Sequence, residues 1–247
     1  MPPRSSISDS AERSWHNLTR ILAIADEVDE SLYGDKLLDF QADIVLSCGD
    51  LPWDYLEYIV SRLNVPLLYV PGNHDTVPPR LDDVLTPLQA ETPARGPQGC
   101  VNVDGRVEDA AGLRIAGLGG SIRYRPGPNQ YTQAQMRWRA LPIEVRARLR
   151  RSDGKRRLRG PRELMPSALS SRGLLDVLLT HAPPEGFSGK YEDLAHRGFA
   201  AFNRLIKDLA PRLHVHGHVH PYGVKQADGK LGATLIVNAV PYRLLEL

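Results

Sequence analysis

Val70-Pro71-Gly72-Asn73-His74-Asp75 follows the apolar run Val65-Pro66-Leu67-Leu68-Tyr69. A buried strand that ends in Pro-Gly and then offers an amide, an imidazole and a carboxylate in succession presents polar groups at the rim of a sheet. Open α/β sheets place their chemistry at that rim. An isolated Asn-His-Asp reads most simply as a strand-to-helix turn in which Asn and Asp cap nearby backbone. Here it is not isolated: Asp26, Gly49-Asp50, His181 and Gly217-His218-Val219-His220 also stand just beyond short apolar runs.

Working back from the stretch, Trp53, Leu56, Ile59, Val60 and Leu63 recur at helical spacing, so a helix is predicted over 53–63. Before it, Asp43 to Ser47 reads as a strand running out at Gly49-Asp50, and Lys36 to Asp39 as a short helical piece. The nearly continuous apolar run from Thr19 to Ala25 suits a strand covered on both faces and stopping at Asp26. Strand–helix–strand units of this kind imply a parallel sheet with right-handed crossovers, so the first three polar clusters fall on one carboxyl-end edge. Residues 1–18, rich in Pro, Ser and Arg, read as a flexible arm ahead of one domain over 19–247.

Working forward, Pro78-Pro79, Pro87, Pro93 and Pro97 mark a loop-rich excursion, followed by strand-like pieces at Cys100–Val103 and Leu113–Ala116. Gly117-Leu118-Gly119-Gly120 has the wrong spacing for a dinucleotide loop and reads as a turn. Residues 137–162 form a heavily basic insert, with Arg146, Arg148, Arg150, Arg151, Lys155, Arg156, Arg157 and Arg159 opposed mainly by Glu144 and Asp153. A solvated helix face or a loose insert is the ordinary meaning of such a run, and a nucleic-acid contact is the alternative. Leu174 to Leu179 is then a strand ending before His181, Phe199 to Leu209 a helix, and Leu213 to His216 a strand entering Gly217-His218-Val219-His220. Ala233 to Asn238 supplies one more strand.

The composition is that of an ordinary globular chain, with a net charge of +2 over 247 residues and no run apolar enough for a membrane span. The polar residues before Trp15 lack the apolar centre of a secretion signal, so a cytoplasmic location and no membrane partner are expected. Cys48 and Cys100 are too few for a disulfide framework or a thiolate metal site.

In order and character the clusters resemble those of the calcineurin-like metallophosphoesterase superfamily, whose pattern is Asp-x-His, Gly-Asp, Gly-Asn-His-Asp or Gly-Asn-His-Glu, a His, and Gly-His-x-His. The resemblance implies an α/β fold, a four-layer α-β-β-α sandwich of two mixed sheets flanked by helices. It implies two divalent transition metals, Mn, Fe or Zn, with Asp26, Asp50 and His220 on the first and Asp50, Asn73, His181 and His218 on the second. A carboxylate can bridge two cations, while neutral imidazole and amide ligands keep the site cationic enough to attract phosphate. Implied too is a phosphate-ester substrate, with His74 as the general acid. A phosphodiester is expected before a monoester, on the open-looking site and the weakened first metal position.

One position departs from the pattern. Where the family has His two residues after its first Asp, this chain has Val28, which coordinates nothing. Asp29 or Glu30 as a substitute, water in the vacant place, and a one-metal enzyme are the alternatives, and a retained but weaker first site is the expectation. The competing class is a non-catalytic scaffold of the same fold, against which stand the loss of only one ligand position and the retention of His74. His16 and His196 read as surface residues, His214 and His216, on the strand leading to His218, as hydrogen-bonded core or edge residues with support of the ligands as the alternative, and Asp75 as a group that orients His74 or caps the next turn.

Overall fold

The computed structural model describes residues 18–76, 96–157, 173–188, 193–221 and 227–247, with the backbone alone for 151–157. The expected arm, all but Leu18, and the end of the basic run beyond 157 lie outside the described residues.

Strand β1 (Arg20–Ile24) shows how the layers arise. Ile21, Ala23 and Ala25 enter one apolar cluster while Leu22 and Ile24 enter another, because successive side chains of a strand point to opposite faces. Both faces are therefore covered, as the unbroken apolar run requires. β2 (Ile44–Ser47), β3 (Leu67–Tyr69) and β4 (Cys100–Asn102) continue in parallel beside it. A second set comprises β5 (Val107–Ala110), β6 (Leu113–Leu118), β9 (Val177–Thr180), β10 (Leu213–His216), β11 (Gly229–Leu231) and β12 (Thr234–Asn238). The short β7 (Ser121–Ile122) and β8 (Gln130–Tyr131) pair separately, and β13 (Tyr242–Glu246) returns antiparallel to β1.

The first sheet has the order β13-β1-β2-β3-β4 and the second β11-β12-β10-β9-β6-β5, each with antiparallel strands at an edge of a parallel centre. Ile21, Ile44, Leu46, Leu68, Ile115, Leu179, Val215 and Val237 fill the space between the sheets. α1 (Lys36–Asp39) and α2 (Trp53–Leu63) cover the outside of the first sheet through Leu37, Tyr55, Leu56 and Ile59. α3 (Gln133–Arg157) and α4 (Ala200–Leu209) cover the outside of the second through Met136, Ile143, Phe202 and Ile206. This is the expected four-layer sandwich of two mixed sheets flanked by helices.

The basic stretch, read as a solvated helix face or a loose insert, is helical as far as the described residues reach. Residues 133–157 form one helix that buries Met136, Ala140, Ile143 and Ala147 against the second sheet. Among the described side chains, Arg139 pairs with Asp104, Arg148 with Glu144 and Arg150 with Glu108, and Arg146 donates to the Gly105 carbonyl. Among the described residues no helix is long and apolar enough to cross a membrane.

Candidate metal centre

The parallel centres of the two sheets end side by side, and the polar clusters meet there. Asp26 lies just past β1, Asp50 just past β2, Asn73-His74-Asp75 past β3, His181 directly after β9 and His218 past β10. Three of these take the left-handed backbone that ordinary residues avoid: Asp26 at φ 61°, Asp50 at φ 56° and His218 at φ 67°. Strain of that kind persists where surrounding structure enforces it, and it collects at functional sites.

The glycines of the motifs explain the enforcement. A Cβ on Gly72 would fall inside contact distance of the Asp50 carboxylate, and one on Gly217 inside contact distance of Asp26 Oδ2 and 2.7 Å from the Ala25 Cβ. Only a bare backbone lets the strand ends approach so closely. Asp75 ties the loops together, its Oδ2 accepting from the Gly72 amide at 2.7 Å and the Asp50 amide at 3.1 Å. It therefore braces the Asp50 turn rather than His74. Asn129 adds a tie from the far side, donating to the Gly72 carbonyl at 2.9 Å.

The side chains converge on one another with lone pairs. His181 Nδ1 lies 2.8 Å from the Cys48 carbonyl, which can only accept, so Nδ1 carries the proton and Nε2 the lone pair. His218 Nε2 lies 2.8 Å from the Ala195 carbonyl, so its lone pair is on Nδ1. His181 Nε2 then faces His218 Nδ1 at 3.1 Å, Asn73 Oδ1 at 2.9 Å and Asp50 Oδ2 at 3.4 Å. Burial pushes both imidazoles down to about 3, so both are neutral and the approach to Asp50 is not an ion pair. Asn73 Nδ2 is buried with no partner, an arrangement that costs free energy unless Oδ1 serves something that binds oxygen. Reversing the amide would let Nδ2 donate to His181 Nε2 but would still leave His218 Nδ1 and Asp50 Oδ2 as acceptors turned toward the same point. A cation is what such a set fits: one carboxylate, one amide oxygen and two imidazole nitrogens, with no thiolate.

Asp26 completes the convergence. It offers an oxygen within 4.8 Å of the ligand nitrogens of His181 and His218, while Oδ2 accepts from the His218 amide at 2.8 Å. Burial, opposed by that hydrogen bond and aided by the nearby Asp50 and Asp75, raises its pKa well above the usual carboxylate value. Burial raises Asp50 and Asp75 in the same direction. Bringing these carboxylates together in a low-dielectric place without a cation is unfavourable, and a divalent ion would reverse the sign of the field.

The structure thus gathers Asp26, Asp50, Asn73, His181 and His218. His220 stands slightly apart, half-buried, with Nδ1 2.7 Å from Glu27 Oε1. His74 is exposed at the rim, its amide donating to Asp50 Oδ1 at 2.8 Å, and with Asp50, Pro52, Trp53, Asp75 and Thr76 it lines an open cleft of about 340 Å³. Val28 packs against the outer core of the first sheet. Neither proposed substitute reaches the site: Asp29 accepts from Ser31 to cap the turn Glu30–Tyr33, and Glu30 opens that turn. His214 and His216 face outward on β10, where His214 Nε2 meets Thr180 Oγ1 at 2.8 Å and His216 Nδ1 donates to the Gly217 carbonyl at 3.0 Å. His196 is no lone surface residue; it pairs with Asp193 at 2.8 Å and its ring lies 5.5 Å from that of His218. Sequence reasoning missed Glu27 and His196, and nothing in the local pattern marks either.

A four-layer sandwich whose two sheets deliver this donor set to a shared edge has the scaffold and the ligand types of a metal-binding site. The sequence matches the family described as calcineurin-like phosphoesterase over residues 7–222, and the chain belongs to that family. It is similar in structure to a crystal structure with TM-score 0.58 at 18% identity, covering 93% of this chain and 95% of that one. It is similar also to the crystal structure of TT1561 of Thermus thermophilus, with TM-score 0.53 at 20% identity, covering 90% and 89%. No curated protein is significantly similar to the chain. Metal dependence and a phosphate-ester substrate follow from the family.

Proposed function

We propose that the chain hydrolyses phosphodiesters at a two-metal site, and the convergence of lone pairs from Asp50, Asn73, His181 and His218 is the observation that carries the reading. These four would hold one ion, and Asp26, Asp50 and His220 would hold a second. Ions of the Mn, Fe or Zn kind, when bound there, supply a hydroxide nucleophile and offset charge on the phosphoryl oxygens. The chain's own contributions are orientation and proton transfer. The Cys48 and Ala195 carbonyls lock the two imidazoles in the tautomers that present lone pairs inward. Asp75 fixes the turn that aims Asp50. His74 lines the mouth of the cleft, and a general acid there would give a proton to the leaving oxygen.

An open cleft rather than a closed pocket supports a diester, whose second substituent needs room on the solvent side. The pairing of Arg139, Arg148 and Arg150 within the fold leaves those three cations less available to nucleic acid. A reduced, cytoplasmic setting suits Cys48 and Cys100, both free thiols. The test compares bis-p-nitrophenyl phosphate with p-nitrophenyl phosphate on protein supplied with Mn²⁺. Faster turnover of the bis ester, abolished in His181→Ala, is expected; faster turnover of the monoester overturns the diester assignment. No turnover of either with any of the three metals points to a scaffold.

A further inference from the structure

Trp53 opens α2 shortly after Asp50 and lines the cleft together with Asp50, His74 and Thr76. The side chains around it are engaged by the fold. Leu51, Tyr55 and Leu56 are buried in the outer cluster of the first sheet, and Tyr33 packs its ring 5.4 Å from that of Tyr55 and 4.9 Å from that of Tyr58. Trp53 is half-buried, belongs to none of the three apolar clusters and, among the described residues, makes no ring contact and no hydrogen bond. Tryptophan carries a large apolar face and an indole N–H that ordinarily finds an acceptor once buried, and the fold uses neither here. A lone surface aromatic is ordinary in itself, but this one borders a metal-ligating carboxylate and the proposed proton donor. The cleft, at about 340 Å³, lies at the small end of the range for ligand sites, about 300–1,000 Å³, and so has room for one compact substituent rather than a stretch of polymer.

We infer that Trp53 sets the substrate preference of the site: a planar substituent of the phosphate ester, a nucleobase or another aromatic ring, stacks on its indole while the phosphate lies at the metal ligands. The inference rests on the phosphoesterase reading above. Stacking asks only for a π-face and reads no donor–acceptor pattern, so the cleft needs no further polar groups to hold such a ring. An alkyl substituent offers no π-face to the indole and covers less of it, so it gains less. The stacked ring is remote from the reacting atoms and is held alike in the ground and transition states. Its effect therefore falls on KM and on inhibitor binding rather than on kcat.

The test uses the full-length protein supplied with Mn²⁺ and turning over bis-p-nitrophenyl phosphate, with phenyl phosphate, adenosine monophosphate and ethyl phosphate as competitive inhibitors. The wild type should bind the two aromatic inhibitors more tightly than ethyl phosphate. Trp53→Leu, which keeps apolar bulk without a π-face, should weaken both aromatic inhibitors about 5–150-fold and leave ethyl phosphate within about twofold. It should raise KM for the bis ester with kcat nearly kept. Trp53→Phe, which restores a smaller ring, should recover much of the loss. Adenosine monophosphate should quench tryptophan fluorescence in the wild type and not in Trp53→Phe, although Trp15 and Trp138 remain. A merely structural role would weaken all three inhibitors alike and lower kcat, and that result overturns the inference. So does unchanged inhibition by every compound in Trp53→Leu, and in both cases the phosphoesterase stands. No turnover by the wild type with Mn, Fe or Zn removes the catalytic reading, and the inference with it.

Discussion

Gly217→Ala tests the packing that brings the two sheets to one site. The end of β10 meets the end of β1 with no room for a side chain, since the added Cβ would overlap Asp26 Oδ2 and lie 2.7 Å from the Ala25 Cβ. Gly217 is not needed for a left-handed backbone, so the effect is steric. Relief comes either by swinging Asp26 away, which breaks its 2.8 Å bond from the His218 amide, or by withdrawing the Gly217–His218 backbone from Asp26. A hydrogen bond to a charged group is worth about 1.5–3 kcal/mol, and overpacking a filled place costs about 1–3 kcal/mol. Because either route relieves the clash, the expected loss is that of one of them, about 1–3 kcal/mol, a fall in Tm of roughly 2–12 °C for a chain of this size. Thermal unfolding in excess chelator removes any contribution from metal. In an Asp26→Ala background the same substitution should cost markedly less, because the two sites are in contact. A Tm indistinguishable from wild type would refute the claim that this glycine enforces the approach of the strands.

His74→Asn should leave metal content intact and slow alkyl esters about 10²–10⁴-fold, with far less effect on nitrophenyl esters whose leaving groups need no proton. Equal losses on both, seen in steady-state rates, would make His74 a phosphate-positioning residue instead. His216 is held down to about 4 by burial, so between that value and the unfolded value of about 6.5 the unfolded chain binds the extra proton. Its contribution to stability is therefore present above about pH 6.5 and is lost as pH falls, by up to about 1.4 kcal/mol per unit. His216→Gln should flatten urea midpoints between about pH 4 and 6.5; an unaltered slope would contradict its neutral burial. Asp104 accepts from the Gly119 amide at 2.7 Å and pairs with Arg139, linking α3 to a loop whose Gly120 amide bonds the Pro71 carbonyl at 2.8 Å. Asp104→Ala should cost about 1–3 kcal/mol in urea unfolding, and no loss would show that the link is incidental.

Much of this architecture was readable because its signals are local. The unbroken apolar run Ile21 to Ala25 and the helical spacing of Leu56, Ile59, Val60 and Leu63 are one-dimensional patterns with one structural solution each. α3 was not readable as a packed helix. Met136, Trp138, Ala140, Ile143, Val145, Ala147 and Leu149 mix buried and exposed apolar residues and stand mostly two apart, so the spacing favours period 2 over the 3.6 of the helix that forms. Pro142 within it and the density of arginine pointed further from a core. β13 was missed because Tyr242–Glu246 is held in the sheet by pairing with β1 across most of the chain. At the site, the residue types and their order were legible, but tautomers set by the Cys48 and Ala195 carbonyls exist only in three dimensions.

The central claim is that the facing lone pairs of Asp50, Asn73, His181 and His218 hold a metal ion. The most direct measurement is elemental analysis of protein purified without chelator and dialysed against Mn²⁺, Fe²⁺ or Zn²⁺, set beside His181→Ala treated in parallel and shown by circular dichroism to be folded. At least one ion per wild-type chain, lost from the tighter class in the variant, is the predicted result; a folded wild type that retains no transition metal under any of these conditions would contradict the account.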